Sequence, residues 1–247
     1  MGQWVARGSS QVLAVHAALL PPGVILYFSG SEYNPDQHNA GLIDHARLYD
    51  CATGAISLAS SPTTDLFCCG HAVLGDGRLL VAGGTERFPV PAGFHHHHWP
   101  GARDAWIFNW RDRRWLQVSE MNPAQPQDWI DDGPGGGRWY PTLATLADGS
   151  VLAMSGHPGR SDGRHTNNTP EIYINEQNRW LLRKPFGVES FPGAEAVVPV
   201  QYPRLHLLPW GDVCCVTPMD GTNRSVRYDP RTERKSYVGQ PFTNTDY

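Results

Sequence analysis

Apolar and polar positions alternate along this chain in short bursts, and the bursts come in pairs. "VHAALLPPGVILYFSG", "GHAVLGDGRLLVAGG", "PTLATLADGSVLAMSG" and "PRLHLLPWGDVCCVTP" each read as an apolar strand, a turn containing Gly and a second apolar strand. Alternation of period two bounded by turn residues is the signature of a half-buried strand. Each pair is followed by a third strand with an aromatic near its end: "ARLYDCATGAISL", "DAWIFNWRDRRWLQV", "PEIYINEQNRWLLR" and "SVRYDPRTERKSYV". A polar turn and a fourth strand come next, often opening on a bulky residue such as Trp115 or Trp180. Two hairpins per unit predict a four-stranded antiparallel sheet, repeated four times. No stretch longer than two turns carries the helical period.

The first turns centre on Pro22, Asp76, Asp148 and Trp210, spaced by 54, 72 and 62 residues. Kelch repeats run at roughly 50 residues, and the excess falls in loops, the largest being "TERFPVPAGFHHHHWPGAR". The fold expected is all-β: a kelch-type propeller whose blades pack face to face because none can bury its apolar face alone. The blades run over residues 1–60, 61–122, 123–190 and 191–247 of a single partial domain. Four-fold recurrence disfavours the rival, a β-sandwich with irregular strands. A closed four-bladed ring is compatible with the pattern. An open partial propeller would expose sheet edges and the apolar face of its last blade. Cys68, Tyr140 and Tyr202 each lie eight residues before a turn centre. They therefore hold one equivalent position at the start of the innermost strand, facing the central channel, with Cys68 and Tyr140 close together.

Composition narrows the function classes. The chain has 247 residues, with 20 Lys+Arg against 24 Asp+Glu and a formal net charge of −4, which argues against nucleic acid or an anionic membrane as main partner. The 26 Gly and 21 Pro suit a turn-rich β protein. No apolar run approaches the roughly 20 residues of a membrane helix, and "MGQWVARGSSQ" lacks a secretory h-region, leaving a cytoplasmic location as the default expectation. Five cysteines, at 51, 68, 69, 214 and 215, form no even disulfide framework and no C-x-x-C pair. Free thiols are expected. Asn167 and Asn223 begin glycosylation sequons that read as chance matches.

The segments "DLFCCGHAVLGDGRLLVAGG" and "GGGRWYPTLATLADGSVL", in this order on neighbouring blades, resemble the copper radical oxidases, the family of galactose oxidase and glyoxal oxidase. That resemblance implies a thioether between the Cys68 sulfur and the ring carbon beside the Tyr140 hydroxyl, with Tyr140 as radical-bearing copper ligand. It implies copper as cofactor, and oxidation of a primary alcohol, aldehyde or carbohydrate by O2 with release of H2O2. It also implies a seven-bladed propeller, of which this chain supplies about four blades. The family completes its copper site with a Tyr-His dipeptide and a further His from a C-terminal domain. No Tyr-His occurs in this chain, so activity of the chain alone is not expected. The aromatic that shields the thioether would fall near His157-Pro158. The alternative is a non-catalytic kelch module binding carbohydrate or protein, or an inactive fragment.

The remaining candidates carry blander readings. Cys69 packs as a small hydrophobe, and Cys214-Cys215 sends one thiol to each sheet face. His95 to His98 form a solvated insertion, since four consecutive imidazoles cannot converge on one ion from an extended loop. His157 and His165 bracket a polar loop. His16 and His71 hold similar positions suited to packing, and His206 lies on an inner strand. Asp131-Asp132 belong to a solvated loop, and the Gly-rich run after them has no helix to make a phosphate cradle.

Overall fold

The computed structural model describes residues 8–31, 44–87, 99–123, 136–158, 167–186, 201–216 and 225–238. Within them sixteen strands form four antiparallel four-stranded sheets, each a simple meander. Blade 1 comprises β1 His16–Leu20, β2 Val24–Phe28, β3 Ala46–Asp50 and β4 Ile56–Leu58. Blade 2 comprises β5 Asp65–Val73, β6 Leu79–Thr85, β7 Ala105–Asn109 and β8 Arg114–Val118. Blade 3 has β9 Thr142–Thr145, β10 Val151–Met154, β11 Glu171–Ile174 and β12 Arg179–Leu182. Blade 4 has β13 Leu205–Leu207, β14 Val213–Cys215, β15 Ser225–Tyr228 and β16 Lys235–Val238. No helix among the described residues is long and apolar enough to cross a membrane.

The inner hairpins repeat one turn for a local reason. In blades 2 and 3 an Asp side chain accepts the amide two residues on, from Arg78 and from Ser150, at 3.0 Å each. The following Gly77 and Gly149 take φ of 83° and 84°, a region open to Gly without a Cβ clash. In blade 4 Trp210 and Gly211 (φ 96°) make the equivalent turn, closed by Leu208 N–H donating to the Asp212 carbonyl at 2.8 Å. The outer hairpins bring together the aromatics read from the sequence: Phe108 meets Trp115 at 5.1 Å and Tyr173 meets Trp180 at 5.0 Å between ring centres.

Three apolar clusters lie between the sheets. One joins blades 1 and 2 through Leu26, Phe28, Leu48, Leu79, Val81 and Phe108. A second joins blades 2 and 3, and a third joins blades 3 and 4. Among the described residues no cluster joins blade 4 to blade 1, so the four sheets form an arc rather than a closed ring. The two end faces differ. Register places Ala17, Tyr27, Arg47 and Leu58 in one row of blade 1's outward face, and Leu19, Ile25, Tyr49 and Ile56 in the next. Leu19 and Leu58 are 66% and 67% exposed. Blade 4 turns Leu205, Cys215 and Val226 inward and carries His206, Cys214 and Arg227 on its other face. The apolar open face thus belongs to the first blade, and the expectation for the last blade is corrected: its outward strand positions are polar or thiol-bearing.

Candidate functional site

The starts of the inner strands of blades 2, 3 and 4 are linked by one repeated backbone contact. Tyr140 N–H donates to the Cys68 carbonyl and Tyr202 N–H to the Tyr140 carbonyl, both at 2.8 Å. The three residues share a left-handed backbone, with φ of 63° at Cys68, 67° at Tyr140 and 48° at Tyr202. Non-glycine residues seldom adopt this region, so the surrounding structure must impose it.

Two buried polar groups brace the segments that carry Cys68 and Tyr140. Asp65 opens β5, is fully buried, and accepts the amides of Ser31 and Phe67 at 2.9 Å each, as well as the Ser31 hydroxyl. It ties the end of blade 1 to the strand that turns at Cys68. Gly30 makes that approach possible, since a Cβ there would sit 2.1 Å from the Phe67 nitrogen. Arg138, also fully buried, donates to the carbonyls of Ser155 and Thr169 at 2.7 and 2.6 Å and pairs with Glu171 at 2.8 Å. Its carbonyl accepts the Gly84 amide at 3.0 Å, joining blade 2 to the segment that delivers Tyr140. Glu171 is completed by the Asn122 amide and side chain at 2.8 and 2.7 Å. A buried pair held by this many hydrogen bonds fixes geometry, though the Arg138 Nε has no partner among the described residues; removing one member leaves an uncompensated charge.

On this frame Tyr140 packs against the buried Cys68, its hydroxyl near enough to act on the thiol. Cys68 is 2% exposed. Burial pushes its thiol up to about 12; the Tyr140 hydroxyl pulls it partly back, and the Asp65 charge adds to the rise. At neutral pH the sulfur is therefore a thiol and a poor nucleophile. Bond formation from it requires oxidation rather than thiolate attack. Trp139 covers the Tyr140 ring at 3.8 Å between centres with planes 31° apart, and Tyr202 stacks on it at 4.6 Å and 43°. Trp99, fully buried, closes the cluster with Cys68 and Trp139.

Cys68 and Tyr140, predicted as neighbours, are thus brought together. His157-Pro158, where the resemblance would put the shielding aromatic, supplies no Trp, and the aromatics that cluster with Cys68 are Trp139 and Trp99. His157 is fully buried and braces Trp139 through reciprocal backbone hydrogen bonds of 2.9 and 2.6 Å. Tyr202, in register but without an assigned role, joins the site by stacking and by donating its hydroxyl to the Cys69 carbonyl at 3.1 Å. Cys69 is buried in the blade 1–2 core, as its packing role requires. Cys215 is buried and Cys214 half-exposed, one thiol per face. His95 to His98, His165 and Asp131-Asp132 lie outside the described residues.

Copper tests the donor set. Copper(II) prefers tetragonal nitrogen and oxygen ligands, whereas Cys68 and Tyr140 offer one thiol and one phenol. Among the described residues no group of three or more His, Cys, Asp or Glu could hold a metal ion. The described residues fit the thiol–phenol half of the implied cofactor and do not fit the metal half.

No protein-family model and no curated protein matches the chain. Among solved structures it is similar to a fungal alcohol oxidase of the AA5 family, in complex with copper, with a TM-score of 0.66 and 21% sequence identity. The likeness covers 99% of this chain and 45% of that one, so this chain spans less than half the length of its structural relative. The four meandering sheets are thus a part of the fold seen in that AA5 alcohol oxidase.

Proposed function

We propose that this chain carries the cofactor-forming half of a copper radical oxidase of the galactose oxidase and glyoxal oxidase kind, with Cys68 and Tyr140 as its thioether pair. The observation that carries the reading is the packing of Tyr140 against the buried cluster of Cys68, Trp99 and Trp139, with the Trp139 ring over the Tyr140 ring. Forming the thioether joins sulfur to the ring carbon beside the hydroxyl and removes one hydrogen from each. Two electrons and two protons pass to O2, giving H2O2. The buried thiol avoids competing thiolate chemistry, and the stacked rings hold the phenol in place and keep water from one side. In the complete protein the reaction would be oxidation of a primary alcohol, aldehyde or carbohydrate by O2. Tyr140 would be the phenolate ligand to copper, and the other ligands would lie outside the described residues. No step of that reaction is assigned to the residues described.

Peptide mass spectrometry after incubation with Cu2+ in air tests this. The expected result is a Cys68 peptide joined to a Tyr140 peptide, lighter by one H2 than the sum of the two. Unlinked peptides, with no H2O2 from alcohols or aldehydes, would instead mark a binding module on the same fold.

A further inference from the structure

Among the described residues Trp210 is the one tryptophan left exposed, at 56%. Trp99, Trp106, Trp139 and Trp180 are buried, and Trp110 and Trp115 are half-buried. A surface aromatic by itself needs no explanation; this one is held in place. Its turn does not call for it. Blades 2 and 3 put Asp76 and Asp148 at the same position, where the side chain accepts an amide of the turn. The blade 4 turn is closed instead by backbone bonds between Leu208, Gly211 and Asp212. The indole Nε1 donates to Asp212 Oδ2 at 3.2 Å, and Asp212 is buried. Arg227 donates to the same oxygen from its Nε at 2.5 Å and carries its guanidinium over the ring, 5.9 Å from the ring centre. One buried carboxylate thus orients both groups. A ring already fixed at the surface loses little freedom when something binds to it.

We propose that Trp210 is the stacking platform of a binding site for neutral sugars, of the β-linked glucopyranose class. A glucopyranose ring whose hydroxyls are all equatorial has two flat faces of C–H groups and a polar edge. The indole face matches the flat part, and stacking removes apolar area on both sides from water. The polar edge then needs donors beside the ring. Arg227 and Arg231 are both exposed. A guanidinium carries five N–H donors, more than the pairs with Asp212 and Asp229 engage. Arg231 lies against the turn, since a Cβ on Gly211 would sit 3.9 Å from its guanidinium carbon. Charge selects against acidic sugars. Arg227 pairs with Asp212 at 2.5 Å and Arg231 with Asp229 at 3.3 Å, so the patch is balanced and offers a carboxylate no net attraction. A single stacked ring with a polar edge binds weakly, at about millimolar Kd.

The platform lies at the far end of β13 from Tyr202 and does not depend on the thiol–phenol pair. The test is a titration of the full chain with cellohexaose, following the indole N–H signals by NMR. The expected result is a saturable shift of the Trp210 signal, nearly the same at low salt and in about 0.5 M NaCl because no net charge takes part. Retardation in gels cast with hydroxyethylcellulose reads the variants. Trp210→Ala should weaken binding more than about tenfold, and Trp210→Tyr, which keeps an aromatic face, should retain most of it. Arg231→Ala should weaken it about fivefold, the loss of one hydrogen bond. Cys68→Ser should bind as the parent does, so failure of the cross-link and failure of the platform are separate results. The parent titration decides even where a variant does not fold. An unmoved Trp210 signal, or equal retardation of folded Trp210→Ala, overturns the proposal and leaves the ring to a protein partner. Tighter binding of hexagalacturonate than of cellohexaose, lost in salt, overturns the assignment to neutral sugars.

Discussion

At the junction of blades 2 and 3 the backbone ladder joins a thiol to a phenol; at the junction of blades 3 and 4 it joins a phenol to a phenol. The main chain is nearly the same at both: an amide-to-carbonyl bond of 2.8 Å between residues of positive φ. Only the side chains differ. The Tyr140 hydroxyl lies beside the Cys68 sulfur, whereas the Tyr140 and Tyr202 rings meet at a tilt of 43°, and the Tyr202 hydroxyl turns away to a backbone carbonyl. Positive φ at Tyr202, to which no chemistry is assigned, shows that the strained backbone belongs to the ladder and is not a mark of catalysis. The fold supplies a repeated pocket edge, and one side chain per blade decides what happens there.

The sharpest way to break this comparison is to exchange the chemistry and keep the ladder. Cys68→Ser and Tyr140→Phe should each abolish the cross-link entirely, because each removes an atom that the bond or its activation requires. Both should leave circular dichroism unchanged. Tyr202→Phe should cross-link as the parent does. A cross-link surviving in Cys68→Ser would reassign the reacting sulfur to Cys69.

The second largest effect separates the junctions by stability. Arg138 and Glu171 are both essentially unexposed, and their pair lies at the blade 2–3 side of the arc. Arg138→Ala strands the Glu171 carboxylate and should cost about 3–5 kcal/mol, read as a lower urea midpoint. The exposed Arg231, 3.9 Å from Asp212 on blade 4, should cost within about 1 kcal/mol when replaced by Ala.

Much of this was legible in the sequence, and the parts that were not share a cause. The Asp76 and Asp148 turns could be read because their chemistry is local: an Asx turn followed by Gly within two residues. The equivalence of Cys68, Tyr140 and Tyr202 followed from counting back from those turns. Arg138 was opaque. In a Gly-rich loop an arginine reads as solvated, and its burial depends on carbonyls at Ser155 and Thr169 converging from other segments. Trp99 was opaque for the same reason, since it reaches Cys68 from within the longest insertion. Trp139, next to Tyr140, was visible as a residue but not as a cover, because a ring preceding a left-handed turn has no fixed direction in a strand pattern. The polar end face of blade 4 depends on which of two alternating sets faces blade 3, and alternation alone does not choose.

Alkaline pH should sharpen the contrast next. The Cys68 thiol is held in the folded state at about 12 against an ordinary 9.0. Between these values the unfolded chain loses the proton and the folded chain keeps it, so stability is fully present below about pH 9 and falls as pH rises toward about 12. Burial also raises Tyr202, which acts in the same direction at higher pH. Melting temperature measured from pH 8 to pH 11 should fall less steeply in Cys68→Ser than in the parent. Equal slopes would mean that the thiol is more solvated than its 2% exposure implies.

The smallest effect tests whether Tyr202 is ladder or chemistry. Tyr202→Phe keeps the stacked ring and removes one hydroxyl that donates to the Cys69 carbonyl at 3.1 Å. The expected loss is about 1 kcal/mol, the net value of one such bond, with the cross-link rate unchanged. Tyr202→Ala removes the ring too, and should slow cross-linking by loosening the Tyr140 orientation relative to the sulfur. If Phe slowed cross-linking as much as Ala did, the hydroxyl rather than the ring would be what Tyr140 needs, and the phenol–phenol junction would share in the chemistry of the thiol–phenol one.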